Sequence, residues 1–340
     1  HKIRIISDIE YQKRGDNWLS VSVIAEIIQS DAEDPLAITT REYDFIISTF
    51  DITTSTLAGE LWTPEQISTQ LWLDASDPAT ITLSGSDVTG WASKDNSSKQ
   101  FSASPGSYPQ DTGIDINGLS TVQFPGSALI SSDDPASIWS FLHDGAEYQI
   151  YIVSRMALVA NPGGQGVLLA TSEWSQTSTG FVIIHDDSGA NDDALKHYVS
   201  KGTTGTVIDA LSGNFFVPAN VPSMISIAAS PANLTASARS SLRNAGNAEI
   251  LNNASTGTPS ASDPAGTLVV GALSPAGTFN WEGDVAEIVI VEGPEVTADR
   301  QTMEGYICWK WGLEASLPVD HPYKSAAPTV DEPLPPTDGT

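Results

Sequence analysis

Residues 279–293 read FNWEGDVAEIVIVEG, residues 294–318 read PEVTADRQTMEGYICWKWGLEASLP, and residues 319–323 read VDHPY. The nearly continuous apolar run from Val285 to Val291 predicts a strand that is covered on both faces. Thr297 is a candidate N-cap for the helix that follows, and Gly312 is placed to end that helix. Because a helix this short is marginally stable alone, it must pack on a sheet formed by the preceding residues. The segment therefore predicts the closing element of an all-β domain.

The sequence before this segment, from about residue 58 onward, consists of short apolar runs separated by Gly, Pro, Ser, Asn and Asp. Ten or more such runs, with almost no helical pattern until the end, predict an antiparallel β-sandwich over residues 58–325. The predicted strands are 71–73, 81–83, 122–124, 148–154, 167–170, 181–184, 196–199, 206–211, 224–228, 268–271 and 285–291.

The composition excludes several classes of protein. The 340 residues carry a net charge of −27, which repels nucleic acid and anionic membrane surfaces, so we expect neither as a partner. No apolar run is long enough to cross a membrane, and membrane insertion is not expected. The one cysteine, Cys308, cannot form an intrachain disulfide and is predicted to be a core thiol.

The two ends of the chain differ from the central part. Residues 1–57 contain two predicted strands, KIRIISDIEY and WLSVSVIAEII, and a third at 43–52, YDFIISTFDI. About three strands with so little core are poorly stable alone, which predicts a β-rich segment that attaches to a partner chain or a larger assembly. Residues 326–340, AAPTVDEPLPPTDGT, are Pro-rich and polar, which indicates a flexible tail.

Several segments together resemble a known family. LWLDASDPATI at 71–81, VTGWASKD at 88–95, INGLSTVQFPG at 116–126 and the closing segment 283–323 are similar to concanavalin A-like lectin/glucanase domains. Within that family, these segments most resemble the LamG-like jelly-roll domains of bacteriophage tail and virion structural proteins. The resemblance implies a jelly-roll β-sandwich with a short C-terminal helix, in a non-enzymatic tail or fibre component that binds host-surface glycans.

The resemblance to phage tail proteins also implies partners for this chain. Residues 1–57 would contact other virion proteins, the protein would be a homo-oligomer, and the sandwich would be displayed on the extracellular particle surface. An alternative is a capsid or tail decoration protein that stabilises the particle without a glycan ligand.

A glycoside hydrolase is a further alternative. Glu282, Asp284 and Glu287 fit E-x-D-x-x-E, which resembles the catalytic signature of one glucanase family with this fold. Hydrolysis needs two carboxyl groups on one face at a defined separation. Strand alternation places Glu287 on the face opposite to Glu282, unless a bulge at Val285-Ala286 brings them to the same side.

A metal site and a sugar site are both suggested by loop residues. The acidic group Asp186, Asp187, Asn191, Asp192 and Asp193 surrounds a glycine and suits calcium, and the resembled domains often hold calcium in rim loops; a solvated turn is the alternative.

Four aromatic residues in or beside polar loops are candidates for stacking on a sugar, or equally for anchoring the core or a loop. These are Trp174, Tyr108, Trp91 and Trp139. His321, held before Pro322, is predicted to be a structural histidine.

Overall fold

The computed structural model describes four strands near the N-terminus and residues 60–330, except 96–97, 112, 114–115, 158–163, 173–174, 176, 188–190, 204 and 250. The chain divides into two units, His1–Thr54 and Ser55–Thr340.

The first unit contains paired short strands. Its described strands are β1 (Lys2–Ile6), β2 (Glu10–Arg14), β3 (Asn17–Val21) and β4 (Ile24–Ile28). β1 pairs antiparallel with β4, and β2 pairs antiparallel with β3. Each of the two long strands predicted here is therefore two short ones, because alternation does not show where a strand changes partner. The predicted strand at 43–52 lies outside the described residues.

The second unit is an antiparallel jelly-roll β-sandwich. Its strands are β5 (Leu71–Asp74), β6 (Ile81–Ser84), β7 (Asp87–Ala92), β8 (Gln100–Ala103), β9 (Val122–Pro125), β10 (Ile130–Ser132), β11 (Tyr148–Met156), β12 (Gln165–Ala170), β13 (Thr179–Asp186), β14 (Ala194–Lys201), β15 (Thr206–Leu211), β16 (Ser223–Ala229), β17 (Ser240–Asn244), β18 (Asn247–Ala248), β19 (Asn252–Asn253), β20 (Val269–Val270) and β21 (Glu282–Glu292). Short 3-10 helices lie at Pro64–Gln66, Ala136–Leu142, Ala236–Ala238 and Glu314–Ser316.

Two sheets form the sandwich. Within the described residues the first sheet has the order β19-β15-β14-β13-β12-β20-β10-β8-β7-β6, and the second has the order β18-β17-β16-β11-β21-β5. β9 pairs with the same edge of β21 as β5 does, further along that strand. All eleven predicted strands of the sandwich are present, so the all-β prediction is confirmed. The strands that were not predicted are mostly short.

β21 is buried on both faces, as predicted. Val285, Ile288 and Ile290 belong to the core between the two sheets. Ala286 and Val289 belong to a second core, between the outer face of the second sheet and the C-terminal helix. The alternation is interrupted once, because Val153 of β11 pairs with Glu287 whereas the next residue, Ser154, pairs with Val285. This bulge leaves Ala286 without a partner in β11.

The helix α1 (Thr297–Lys310) covers the outer face of the second sheet. Its N-cap is Val296, whose side chain makes no capping bond, so the prediction of Thr297 as N-cap is wrong by one residue. Its C-terminal end is as predicted: Gly312 has φ 69°, and Asn117 Nδ2 donates a hydrogen bond of 2.9 Å to the Lys310 carbonyl oxygen. Cys308 is buried in this second core, as expected for a core thiol.

Glu304 fastens α1 to the sheet and to the chain that follows. Its carboxylate accepts hydrogen bonds from Ser226 Oγ at 2.7 Å and from Arg300 at 2.6 Å, and His321 Nε2 lies 3.4 Å away. Burial alone would raise the pKa of Glu304, but His321, Arg300 and Ser226 outweigh it and lower that pKa. His321 is itself buried. It is therefore a structural histidine, as predicted.

A polar chain crosses the sandwich core. Hydrogen bonds of 2.8 Å join Tyr148 Oη to His197 Nε2, and His197 Nδ1 to Ser240 Oγ. All three residues are buried. Burial lowers the pKa of His197 to about 3, so the ring is neutral near pH 7.

The first and last described residues of the sandwich lie side by side. Trp62 N donates to the Pro328 carbonyl oxygen at 3.0 Å, and Val330 N donates to the Glu60 carbonyl oxygen at 2.8 Å. The flexible tail was predicted to begin at residue 326, and this boundary is too early. Residues 328–330 pair with the start of the sandwich. Residues 331–340 lie outside the description. Among the described helices none has the length and apolarity needed to span a bilayer.

Candidate ligand-binding cleft

A cleft with a volume of about 370 Å³ lies beside β18, at the edge of the second sheet. The β15–β16 loop, the β17–β18 hairpin and the segment after α1 meet there. Its lining residues are Asn214, Phe215, Phe216, Asn244, Asn247, Ala248, Glu249 and Ser316. Two aromatic residues, several amides and a carboxylate thus share a concave surface, which is the composition of many small-ligand sites.

The β15–β16 loop is held in place by the turn between β13 and β14. Phe215 N donates to the Asp192 carbonyl oxygen at 2.7 Å, and Val217 N donates to the Asp193 carbonyl oxygen at 3.0 Å. Ala219 N donates to Asp193 Oδ2 at 3.1 Å. The loop that supplies Phe215 and the acidic turn are therefore neighbours in the fold, although 20 or more residues separate them in sequence.

Phe215 is the most unusual residue of the cleft. It has φ 60°, in the left-handed region, and the residue is 62% exposed. The left-handed conformation costs an ordinary residue about 1–2 kcal/mol. Because the ring of Phe215 is exposed, the free energy gained by burying apolar surface offsets little of this cost. Strain that packing does not repay concentrates at functional sites. The neighbouring Phe216 is 6% exposed and packs in the sandwich core.

The polar side chains of the cleft are fixed by the backbone. Asn244 Nδ2 donates to the Phe216 carbonyl oxygen at 2.6 Å, and Asn247 Nδ2 donates to the Ser316 carbonyl oxygen at 2.9 Å. Glu249 Oε1 accepts a hydrogen bond from Gly213 N at 3.0 Å. These bonds hold the three side chains in one arrangement before a ligand arrives, which lowers the entropic cost of binding.

The acidic group predicted to bind calcium is divided by the structure. The carboxylates of Asp187, Asp192 and Asp193 lie within 4.8 Å of one another. Asp186 is turned elsewhere, and its carboxylate accepts a hydrogen bond of 2.9 Å from Asn191 Nδ2. Three carboxylates supply only part of the six to eight oxygens that calcium takes. The arrangement is compatible with a calcium ion that completes its coordination with water or backbone oxygens, and calcium binding stays a prediction.

A neutral histidine lies next to this group. His185 Nε2 is 3.4 Å from Asp193 Oδ1, and the His185 side chain is fully buried. Burial lowers the pKa of His185, although the nearby carboxylates oppose this. The acidic turn therefore gains little positive charge from the histidine near neutral pH.

The aromatic residues predicted to bind sugar do not gather in the cleft. Trp91 and Trp139 are fully buried in the sandwich core, which corrects their assignment as stacking platforms. Trp91 lies on β7, where it pairs with Phe101, and Trp139 packs 6.2 Å from the same ring. Tyr108 is half-buried and is not part of the cleft lining. Trp174 lies outside the described residues.

The cleft residues were missed by sequence reasoning. The nearest signal is the pair Phe215-Phe216 in the segment SGNFFVPAN, 212–220, where two large apolar residues stand in a turn of Gly, Asn and Pro. One of the two enters the core and the other remains outside.

The carboxylates of the glucanase-like motif are engaged in structure. The bulge that the hydrolase alternative requires is present, since Ala286 and Glu287 both lie against the helix-covered face. Glu287 is nevertheless 1% exposed beneath α1. Its oxygens accept hydrogen bonds from Trp72 Nε1 at 2.7 Å, Trp311 Nε1 at 2.6 Å, Tyr306 Oη at 3.0 Å and Lys310 Nζ at 3.0 Å. A substrate cannot reach this carboxylate without displacing the helix.

Asp284, between the two glutamates, is also paired. Arg155 binds it through a 2.6 Å contact from Nη2 and a 2.7 Å hydrogen bond from Nε. Burial raises the pKa of Asp284, and the pairing with Arg155 opposes that shift. This aspartate fastens β11 to β21.

A second cavity, of about 510 Å³, lies beside β5. Its one tryptophan, Trp72, is 1% exposed and offers little face for stacking. Lys94 lies 4.7 Å above that ring and is paired with Asp74 and Asp77, each at 3.1 Å. The basic side chain of this cavity, Lys94, is thus already paired with carboxylates of the protein. The cleft at Phe215 is therefore the stronger candidate for a ligand site.

No protein-family model and no curated protein sequence matches the chain. Similar solved structures include the CBM40 domain of the Ruminococcus gnavus IT-sialidase bound to alpha2,3 sialyllactose, which is 10% identical with a TM-score of 0.33 over 45% of this chain and 80% of that domain. The Trypanosoma rangeli sialidase in complex with the inhibitor DANA is 10% identical, with a TM-score of 0.42 over 67% of this chain and 31% of the sialidase. The binding domain of botulinum neurotoxin serotype D is 8% identical, with a TM-score of 0.46 over 70% of this chain and 50% of that domain. Likenesses at this level do not assign a ligand.

Proposed function

We propose that this protein is a non-enzymatic carbohydrate-binding component of a bacteriophage tail or fibre, which attaches the particle to a host-surface glycan through the cleft at Phe215. The observation that carries the proposal is the exposed, left-handed Phe215 at the lip of a preformed polar cleft. A ligand that covers the ring of Phe215 would remove its apolar surface from water, and the free energy gained would favour binding.

A sugar suits this cleft better than an apolar molecule does. A pyranose has an apolar face that can stack on an aromatic ring, and its hydroxyl groups can bind amide and carboxylate oxygens. The ring of Phe215 and the side chains of Asn244, Asn247 and Glu249 provide both kinds of contact within one concavity.

Binding without hydrolysis is supported by the state of Glu287. Its carboxylate is buried and accepts four hydrogen bonds, three of which come from α1 and the residue after it and one from Trp72 of β5. A general acid or nucleophile must instead lie within reach of the scissile bond. Release of reducing sugar from a β-glucan, lost in Glu282→Gln, would contradict this part of the proposal.

The virion placement is supported by the sequence resemblance of residues 71–126 and 283–323 to phage tail proteins. In this placement residues 1–57 contact other virion proteins and several copies of the chain display their sandwiches at the particle surface. Repeated copies convert weak sugar contacts into tight attachment, since each bound copy raises the effective concentration of the next. Antibody labelling of purified particles tests this placement.

Two matched glycine variants test the cleft. Phe215→Gly removes the ring, which at about 50 Å² of covered apolar surface corresponds to roughly tenfold weaker binding. The control is Phe279→Gly, because Phe279 also has a left-handed φ of 50° and is 47% exposed but does not line the cleft. Both variants relieve a left-handed side chain, so both are expected to raise the free energy of unfolding by about 0.5–1 kcal/mol.

The measurement is glycan-array binding of the full chain, with urea denaturation in parallel. Loss of glycan binding in Phe215→Gly alone, with stability gained in both variants, supports the proposal. Equal binding by Phe215→Gly and the unaltered protein contradicts it. A protein that binds no glycan but raises the heat resistance of the particle would be the decoration protein of the alternative.

A further inference from the structure

We infer that the cleft selects sugars that donate hydrogen bonds and carry no negative charge, and that it binds protonated amino sugars more tightly than neutral ones. This inference rests on the proposed function, because it concerns the ligand class of the same cleft.

The first reason is that two amide side chains of the cleft donate their hydrogen bonds to the backbone. An amide nitrogen has two N–H groups. Asn247 Nδ2 donates to the carbonyl oxygens of Ser316 at 2.9 Å and Asn244 at 3.1 Å, and Asn244 Nδ2 donates to the Phe216 carbonyl oxygen. Within the described part of the chain, the amide oxygens of Asn244 and Asn247 accept no hydrogen bond. The side chains of Asn244 and Asn247 therefore present acceptor oxygens to a ligand.

The second reason is the charge of the cleft. Its lining contains the carboxylate of Glu249 and no Lys, Arg or His. Glu249 Oε1 binds Gly213 N, which leaves Oε2 for a ligand. A sugar carboxylate in this position would lose water without gaining a charged partner, and such burial is costly.

The third reason is the neighbouring acidic turn. Asp187, Asp192 and Asp193 bring three carboxylates together, and the backbone of Asp192 is hydrogen-bonded to that of Phe215. The Debye length at physiological salt is about 8 Å, so charges closer than this to a ligand are incompletely screened. The net charge of −27 adds a repulsive field for anions.

Together these features match an ammonium group on a sugar ring. An ammonium donates three hydrogen bonds to acceptor oxygens and carries the charge that the cleft attracts. A neutral sugar can satisfy the acceptors through its hydroxyl groups but gains no attraction. A sialylated or uronic sugar meets repulsion.

The test compares three ligands on the full chain by calorimetry or by saturation-transfer NMR. They are a glucosamine oligosaccharide at a pH where its amino groups are protonated, its N-acetylated counterpart of equal length, and sialyllactose. We expect the glucosamine oligosaccharide to bind most tightly and sialyllactose least. Added salt should weaken only the binding of the charged amino sugar.

Two charge variants locate the effect. Glu249→Gln should weaken binding of the glucosamine oligosaccharide by roughly two- to fivefold, as for other exposed charge pairs, and weaken binding of the N-acetylated sugar by less, because the glutamine oxygen still accepts a hydrogen bond. Glu292→Gln is the matched control, because Glu292 is exposed and lies outside the cleft.

The outcomes separate this inference from the proposed function. Tighter binding of sialyllactose than of the neutral sugar overturns the inference and leaves glycan binding intact. Equal, salt-insensitive binding of the acetylated and deacetylated sugars overturns the preference for amino sugars. Absence of binding to every glycan on an array overturns both.

Discussion

Acid should destabilise this fold through the buried His197, and the size of the effect follows from its environment. His197 is hydrogen-bonded to Tyr148 and Ser240 inside the core, and burial lowers its pKa to about 3 from the usual 6.5. Between these values the unfolded chain binds a proton that the folded chain does not. The free energy of unfolding therefore rises with pH across this window, and it falls as pH is lowered from 6.5 toward 3.

The magnitude is set by the difference between the two pKa values. Each pH unit below 6.5 removes about 1.4 kcal/mol, so lowering the pH from 7 to 5 should cost about 2 kcal/mol through His197 alone. His143 and His185 also have pKa values lowered by burial, and they act in the same direction. The contribution of His197 must therefore be isolated by a variant.

The assay is urea denaturation at several pH values between 5 and 7 for the unaltered protein, His197→Gln and Tyr148→Phe. His197→Gln removes the titrating group, so its stability should fall with acid more gently, by up to about 1.4 kcal/mol per pH unit. Tyr148→Phe removes one hydrogen bond but keeps the imidazole, and it should retain the steep dependence. If His197→Gln and the unaltered protein show parallel pH dependences, the reasoning is refuted.

Two further predictions concern buried and exposed carboxylates. Glu287→Gln should destabilise the fold by roughly 3 kcal/mol, because it weakens a buried carboxylate's bonds to α1, whereas the exposed Glu292→Gln on the same strand should change stability by less than about 0.5 kcal/mol in denaturant titrations. Equal stability of the two variants would reopen the hydrolase alternative. Millimolar calcium should raise the melting temperature by about 3 °C if the acidic turn binds it at about 0.1 mM, and Asp187→Ala with Asp192→Ala should abolish the rise; an unaltered protein that shows no shift in calorimetry does not bind calcium there.

The parts of the fold that the sequence predicts are those that depend on local periodicity. β21 and α1 are recognisable because Val285–Val291 is apolar except at Glu287 and the helix has a polar face and a terminating glycine. The bulge at Ala286 could not be predicted, since an extra residue is defined only relative to the partner strand. The same bulge decides on which face Glu287 lies.

The candidate site was hardly predictable, because its parts are distant in sequence. Phe215, Asn247 and Ser316 are brought together by strand pairing and by the position of α1. Trp91 and Trp139 were predicted to bind sugar, but both face the core. The register of a strand and the placement of a loop decide where such a ring points, and neither can be read from the local sequence. The acidic turn was found from sequence because its residues are contiguous, yet Asp186 and Asn191 pair with each other instead of joining the three clustered carboxylates.

The pairing of residues 60–62 with residues 328–330 has a consequence for engineering the sandwich. A domain whose two ends meet in one antiparallel bridge can be transplanted as a cassette into a surface loop of another protein, since the host backbone need open by little more than the spacing of two strands. We also expect it to tolerate circular permutation, in which a short linker closes the old ends and new ones open at an exposed turn such as Leu234, which is 98% exposed. Copies could then be joined in tandem through a single narrow stem.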